Sequence, residues 1–119
     1  MKLRQIKDIL DLDIKYLPDE TFFDEEYNDA FASDLMSDAL YLVNNESGST
    51  ILLTGLANPQ SIRTAEMLDI TLIIYVRDKK PSDEMLELAK DKNIVLATYH
   101  HTMFKACGLL YSNGIKEAS

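Results

Sequence analysis

The chain has 119 residues with 46% hydrophobic and 27% charged side chains and only 4 Gly and 3 Pro, a composition that describes one folded domain and excludes disordered and fibrous classes. Its formal charge of −8, from 20 Asp and Glu against 12 Lys and Arg, argues against nucleic acid, whose phosphates call for clustered cations. No apolar run approaches the roughly 20 residues of a membrane span and no secretory leader opens the chain, so a cytoplasmic protein without membrane contact is expected.

Leu3, Ile6 and Leu10 define a short first helix with Arg4, Lys7 and Asp8 outward. Leu12 to Leu17 alternates apolar and polar residues, as a half-exposed strand does. Pro18 and the acids Asp19, Glu20, Asp24, Glu25, Glu26 and Asp29 mark a solvated loop, and Tyr27 to Ala32 reads as a second strand. Ser33 is placed to cap a helix with Asp34 in its first turn and Leu35, Met36, Ala39, Leu40 and Val43 facing the core. Asn44 to Ser49, with Gly48, reads as a turn.

Three near-continuous apolar runs follow, Ile51 to Thr54, Ile70 to Val76 and Ile94 to Ala97. Such runs are what strands buried on both faces require, and the helical patterns between them predict βα units on a parallel sheet. Asn58 caps the first intervening helix, Pro59 takes its first position, and Ile62, Ala65 and Leu68 pack inward. Ser82 caps the next, with Asp83 and Glu84 in its first turn, Met85, Leu86, Leu88 and Ala89 inward, and Asn93 as its stop. Thr102 caps the last helix, where Met103, Ala106, Cys107, Leu110 and Tyr111 share a face. Cys107 is the single cysteine, which excludes an internal disulfide, and reads as a buried structural thiol rather than a nucleophile. Gly108 costs this helix about 1 kcal/mol relative to Ala and suggests a close backbone approach. Residues 1–119 are thus expected to form a single α/β domain, a mainly parallel sheet flanked by helices.

In a parallel sheet with right-handed crossovers the turns after the buried strands emerge on one edge. That gathers Thr54, Gly55, Asn58, Arg77, Thr98, His100, His101 and Thr102, with Ser33 and Asp34 as a fourth wall, and predicts the main polar cleft there. Unpaired N–H groups of helix N-termini at this edge suit an anion. Adjacent His100 and His101 diverge and do not suit one metal, and Asp34, Ser37 and Asp38 read as a cap and solvent face rather than a cation site. Arg63 and Glu66 are spaced for a surface pair, and Arg77 for a pair with Asp78 or another nearby carboxylate. No Gly-rich phosphate loop, nucleophile triad or paired-acid set is present, so neither intrinsic catalysis nor a cofactor is expected. Tyr41, Leu42, Phe104, Leu109, Phe22 and Phe23 fall off the core face, and covering them predicts a homodimer.

Leu52-Leu53-Thr54-Gly55, the helix from Asn58 to Asp69, the segment Pro81 to Lys92 and Thr98 through Thr102-Met103-Phe104 together carry a family likeness. The stretch from Ile51 to Tyr111 resembles the DRTGG domain, found beside CBS domains in some pyrophosphatases, in phosphate acetyltransferases, and in relation to the N-terminal domain of HPr kinase. Ala32 to Asp38 and Ala106 to Tyr111 resemble a stand-alone branch near iron hydrogenase genes, often labelled a serine kinase. Where the family has an Asp-Arg-Thr element this chain has Asn58-Pro59, and where it has Gly-Gly this chain has Arg77-Asp78, residues that disfavour positive φ. The resemblance implies a regulatory module sensing an adenine nucleotide or other phosphorylated metabolite. The alternative it implies is a protein-interaction module, homodimeric within a hydrogenase-associated system, and a serine-kinase relative is third.

Overall fold

The computed structural model describes residues 1–119. The helices are α1 (Leu3–Leu10), α2 (Met36–Leu42), α3 (Pro59–Met67), α4 (Asp83–Lys92) and α5 (Met103–Ser112). The strands are β1 (Asp13–Tyr16), β2 (Asp29–Ala32), β3 (Thr50–Thr54), β4 (Leu72–Tyr75), β5 (Val95–Thr98) and β6 (Lys116–Glu117), and they form one sheet in the order β1-β5-β4-β3-β2-β6.

Every residue of β3, β4 and β5 is buried, which is why these segments read as unbroken apolar runs. The three run parallel, with Leu52, Ile73 and Leu96 in register, as are Thr54, Tyr75 and Thr98. Alternation then splits their side chains between two cores. Ile51, Leu53, Leu72, Ile74, Val95 and Ala97 meet α1 and α5, while Leu52, Ile73 and Leu96 meet α2, α3 and α4. Each fully buried aliphatic side chain contributes roughly 1.5–3 kcal/mol, so these two layers are the main source of stability.

The edges are softer. β1 is half-buried throughout and pairs antiparallel with β5, as its alternating sequence predicts, while β2 pairs parallel with β3 and carries the two-residue β6 on its outer side. Helix ends follow local chemistry. The Asn58, Ser82 and Thr102 side chains each accept a bond from an N–H three residues on, at 3.3 Å, and Asn93 closes α4 in the left-handed region at φ 55°. No helix is long and apolar enough to cross a membrane.

Several expectations need correction. Residues Glu20–Asp24 form a short 3₁₀ helix capped by Asp19, and Phe22, Phe23 and Leu109 pack against the core instead of lying exposed. Helix α2 begins at Met36 after Leu35, which gives no side-chain cap, so Ser33 is not its cap and Asp34 is not in its first turn. Leu35 and Leu40 are exposed, because only Met36 and Ala39 of that helix face the sheet closely enough to be buried. Glu66 pairs with Lys92 at 2.7 Å rather than with Arg63, since α4 packs beside α3 and brings its last turn within reach. Nothing lies within 4 Å of a Cβ built on Gly108, so that glycine opens space instead of admitting a neighbouring backbone.

Candidate functional site

The register of the central strands brings their C-terminal ends side by side. The Val76 N–H donates to the Thr54 carbonyl at 3.0 Å and the Tyr99 N–H to the Tyr75 carbonyl at 2.8 Å, extending the ladder one residue past the strands. The chain then turns through Arg77 at φ 57° and Asp78 at φ 59°. These two residues therefore adopt the left-handed conformation that their side chains were expected to disfavour, at a cost of about 1–2 kcal/mol for Arg77 and less for Asp78, since Asp enters this region more readily, as Asp11 and Asp69 also do here. Hydrogen bonds to the neighbouring loop offset it. The Arg77 N–H donates to the His101 carbonyl at 2.7 Å, the Asp78 N–H to the Tyr99 carbonyl at 2.9 Å, and the Thr98 hydroxyl to the Lys79 carbonyl at 2.8 Å.

On the other side of the same turn, the Arg77 guanidinium lies directly over Gly55, where any Cβ would overlap it. The Asp34 carboxylate joins the two: Oδ1 accepts the Gly55 N–H at 2.6 Å and the Thr54 hydroxyl at 3.5 Å, and Oδ2 accepts from Arg77 Nη2 at 3.2 Å. These charge-assisted partners explain why Asp34 leaves the start of α2, where a helix terminus offers it less. Ser33 instead accepts the Leu35 N–H at 3.0 Å. The Gly55 N–H and then the Arg77 guanidinium hold the Asp34 carboxyl below its usual range. The ion pair is about half exposed, 43% for Arg77 and 53% for Asp34, so solvent screening limits its worth to about 0–1 kcal/mol.

His100 and His101 diverge. His100 Nδ1 lies 2.7 Å from Asp78 Oδ1, a contact that holds the Asp78 carboxyl low, whereas His101 meets the edge of the Tyr99 ring at 5.6 Å between centroids. Tyr99 is buried and its hydroxyl has no hydrogen-bond partner. Asn58 and Thr102 act as caps, and the Asn58 carbonyl also accepts the Ser61 hydroxyl, which contacts the Tyr75 hydroxyl at 2.7 Å. The edge thus joins Asp34, Thr54, Gly55 and Arg77 directly, and Thr98, His100 and His101 through the turn. Lys15, which pairs with Asp13, and Lys80 lie near Asp78 on the β1 and β5 side of the edge and were not singled out from the sequence, although Arg77-Asp78-Lys79-Lys80 carries three cations in four residues of an acidic chain. That local excess after a buried strand was the available signal.

This edge is not an open polar cleft, because the Arg77 side chain and Asp34 close over Gly55. A cavity of about 400 Å³ lies elsewhere, between β2, β6 and α5, and is apolar, lined by Phe31, Leu53, Phe104, Cys107 and Tyr111 among others. Cys107 is only half-buried there, with its thiol pushed up by the apolar surroundings, and Tyr111 is exposed rather than on the buried face. No three His, Cys, Asp or Glu side chains converge in a way that could hold a metal.

The Asp34 contacts carry a pH signature. A carboxyl lowered in the folded state stabilises above its unfolded value of about 3.9 and loses that contribution as pH falls through the lower folded value. Asp34→Asn should therefore destabilise by at most about 1 kcal/mol at pH 7 and make no difference well below pH 4. Urea unfolding of both proteins across pH 2.5–7 measures this, and a difference that persisted undiminished at the acidic end would show that the carboxylate charge is not involved.

No protein-family profile and no curated protein matches the sequence. Among solved structures the chain is similar to the CBS and DRTGG domains of the regulatory region of a Clostridium perfringens pyrophosphatase, complexed with its activator diadenosine tetraphosphate. The TM-score is 0.71 at 24% identity, over 92% of this chain and 45% of that one, so the chain spans less than half of its neighbour's length. In fold, this chain is a DRTGG-like α/β domain, as its sequence resemblance implied.

Proposed function

We propose that the protein is a regulatory, ligand-sensing module that takes a small phosphorylated ligand, such as an adenine nucleotide, at the C-terminal edge of its sheet, and does not transform it. One observation carries the reading: a guanidinium, a free-standing backbone N–H and a hydroxyl, from Arg77, Gly55 and Thr54, converge on a single carboxylate at this edge. Groups that hold a carboxylate also suit a phosphoryl oxygen. Ser33, Asp34, Asn58, Thr98, His100, His101 and Thr102 complete the proposed surface. The fold likeness to a pyrophosphatase regulatory region that binds an adenine dinucleotide supports the ligand class. Phosphoryl transfer would further require a Mg²⁺ site, and no three His, Cys, Asp or Glu side chains converge at this edge to hold a metal.

Differential scanning fluorimetry with AMP, ADP, ATP and diadenosine tetraphosphate tests the proposal. A ligand at a hundred times its dissociation constant adds about 2.7 kcal/mol, roughly 10 °C in Tm for a domain of this size, and Arg77→Ala should remove the shift. A flat panel, or ATP consumed at a measurable rate in the presence of Mg²⁺, would refute it.

A second reading, a protein-interaction module acting as a homodimer, rests on the apolar surface. Phe104 is 89% exposed at the rim of the apolar cavity, and Tyr111 is exposed beside it. Apolar side chains grouped around a concave surface are a mark of association. Light scattering at micromolar concentration should return a mass near twice 13.5 kDa, reduced by Phe104→Asp, and a monomeric mass throughout would discard this reading.

A further inference from the structure

Resting on the sensing proposal, we infer that Asp34 is a built-in competitor: its carboxylate occupies the oxyanion receptor formed by the Gly55 N–H, the Thr54 hydroxyl and the Arg77 guanidinium, and a phosphoryl group binds by displacing it. Three features of the receptor point this way. The Gly55 N–H bond to Asp34 Oδ1, at 2.6 Å, is the shortest contact at the site, and it comes from a backbone group that has no strand partner beyond β3. Gly55 has no side chain, and the Arg77 guanidinium occupies the space a Cβ would take there, directly beside the Gly55 N–H. Arg77 is held in the left-handed region by the bond from its own backbone to the loop after β5, independently of Asp34, so the backbone that carries the guanidinium to the edge does not depend on the carboxylate.

The carboxylate, by contrast, is poorly committed to any other role. Asp34 does not cap α2, its side chain is about half exposed, and the segment carrying it joins β2 to α2 without burying a residue between Ser33 and Leu35. A side chain so placed can swing to solvent with little loss of packing. Its departure frees one N–H, one hydroxyl and a guanidinium fork, the donor set that a phosphoryl group with several equivalent oxygens can bridge and a single carboxylate fills only in part. The resident carboxylate therefore sets a threshold: weak anions do not displace it, and the edge responds only to a polyanion. Population arithmetic gives the size, since an occupant present nine times in ten lowers apparent affinity tenfold.

The test is isothermal titration of ADP into the whole chain and its variants, with inorganic phosphate as a second probe, read together with the Gly55 amide resonance. Asp34→Ala should bind ADP about tenfold more tightly than the unaltered protein, and Asp34→Asn, which keeps a hydrogen bond to Gly55 but no charge, should gain less. Arg77→Ala should not bind. In the unaltered protein, saturating ADP should move the Gly55 amide away from its carboxylate-bonded position, to the position it takes in ADP-saturated Asp34→Ala. If ADP binds and needs Arg77, but Asp34→Ala binds no better or the Gly55 amide does not move, the competitor role is overturned and the sensing proposal stands. If ADP binding survives Arg77→Ala, or no variant binds either probe, the edge is not the receptor and both fall.

Discussion

Two consecutive residues with side chains, Arg77 and Asp78, turn through left-handed backbone at the end of the central strand, and the rest of the edge is arranged around that turn. A conformation that costs roughly 1–2 kcal/mol at Arg77 and less at Asp78 persists only where its surroundings over-determine it. Here they do so from both flanks. The backbone amides of the pair are bonded to the loop after β5, and the side chains reach in opposite directions, Arg77 toward Asp34 and Gly55, Asp78 toward His100. A glycine pair would supply the same backbone without strain, yet it would supply neither ion pair. Where the sequence resemblance leads one to expect Gly-Gly, this chain has Arg77-Asp78, which meets the left-handed turn at a cost and adds charge to it.

The sheet makes such a device affordable in structural terms. β3, β4 and β5 are buried end to end, covered on both faces and hydrogen-bonded to one another, so their termini are fixed relative to one another by packing and by the ladder. What happens beyond them contributes little to stability. The ion pairs of the edge, Asp34 with Arg77 and Asp78 with His100, are solvent-exposed, individually weak through solvent screening, and free to be exchanged for contacts with a ligand. A rigid parallel sheet that presents weakly stabilised polar groups at its carboxyl edge is a general arrangement for recognition.

Much of the architecture was legible in the sequence, because β3, β4 and β5 are long apolar runs separated by helices with explicit caps at Asn58, Ser82 and Thr102. The residues gathered at the edge followed from topology. Their contacts did not. Asp34 read as a helix-start acid because its sequence neighbours pattern as a helix, and the stronger pull of Gly55 and Arg77, 21 and 43 residues away, leaves no local trace. The positive φ of Arg77 and Asp78 was missed for the same reason, since tertiary hydrogen bonds override a local preference. β6 is two polar residues whose pairing depends wholly on β2, and Gly108 reads as a packing glycine until the cavity beside it is seen.

The central claim is that the turn at Arg77 and Asp78 is a fixed, tertiary-bonded element, although it lies in an exposed polar loop. Amide hydrogen exchange measures that directly, residue by residue. The account predicts that the Arg77 and Asp78 amides, bonded to the His101 and Tyr99 carbonyls, exchange on the order of a thousandfold or more slower than in an unstructured peptide, an opening free energy of about 4 kcal/mol. Exchange of both amides at the rate of a free chain, alongside full protection of Ile73 and Ile74 in β4, would contradict it.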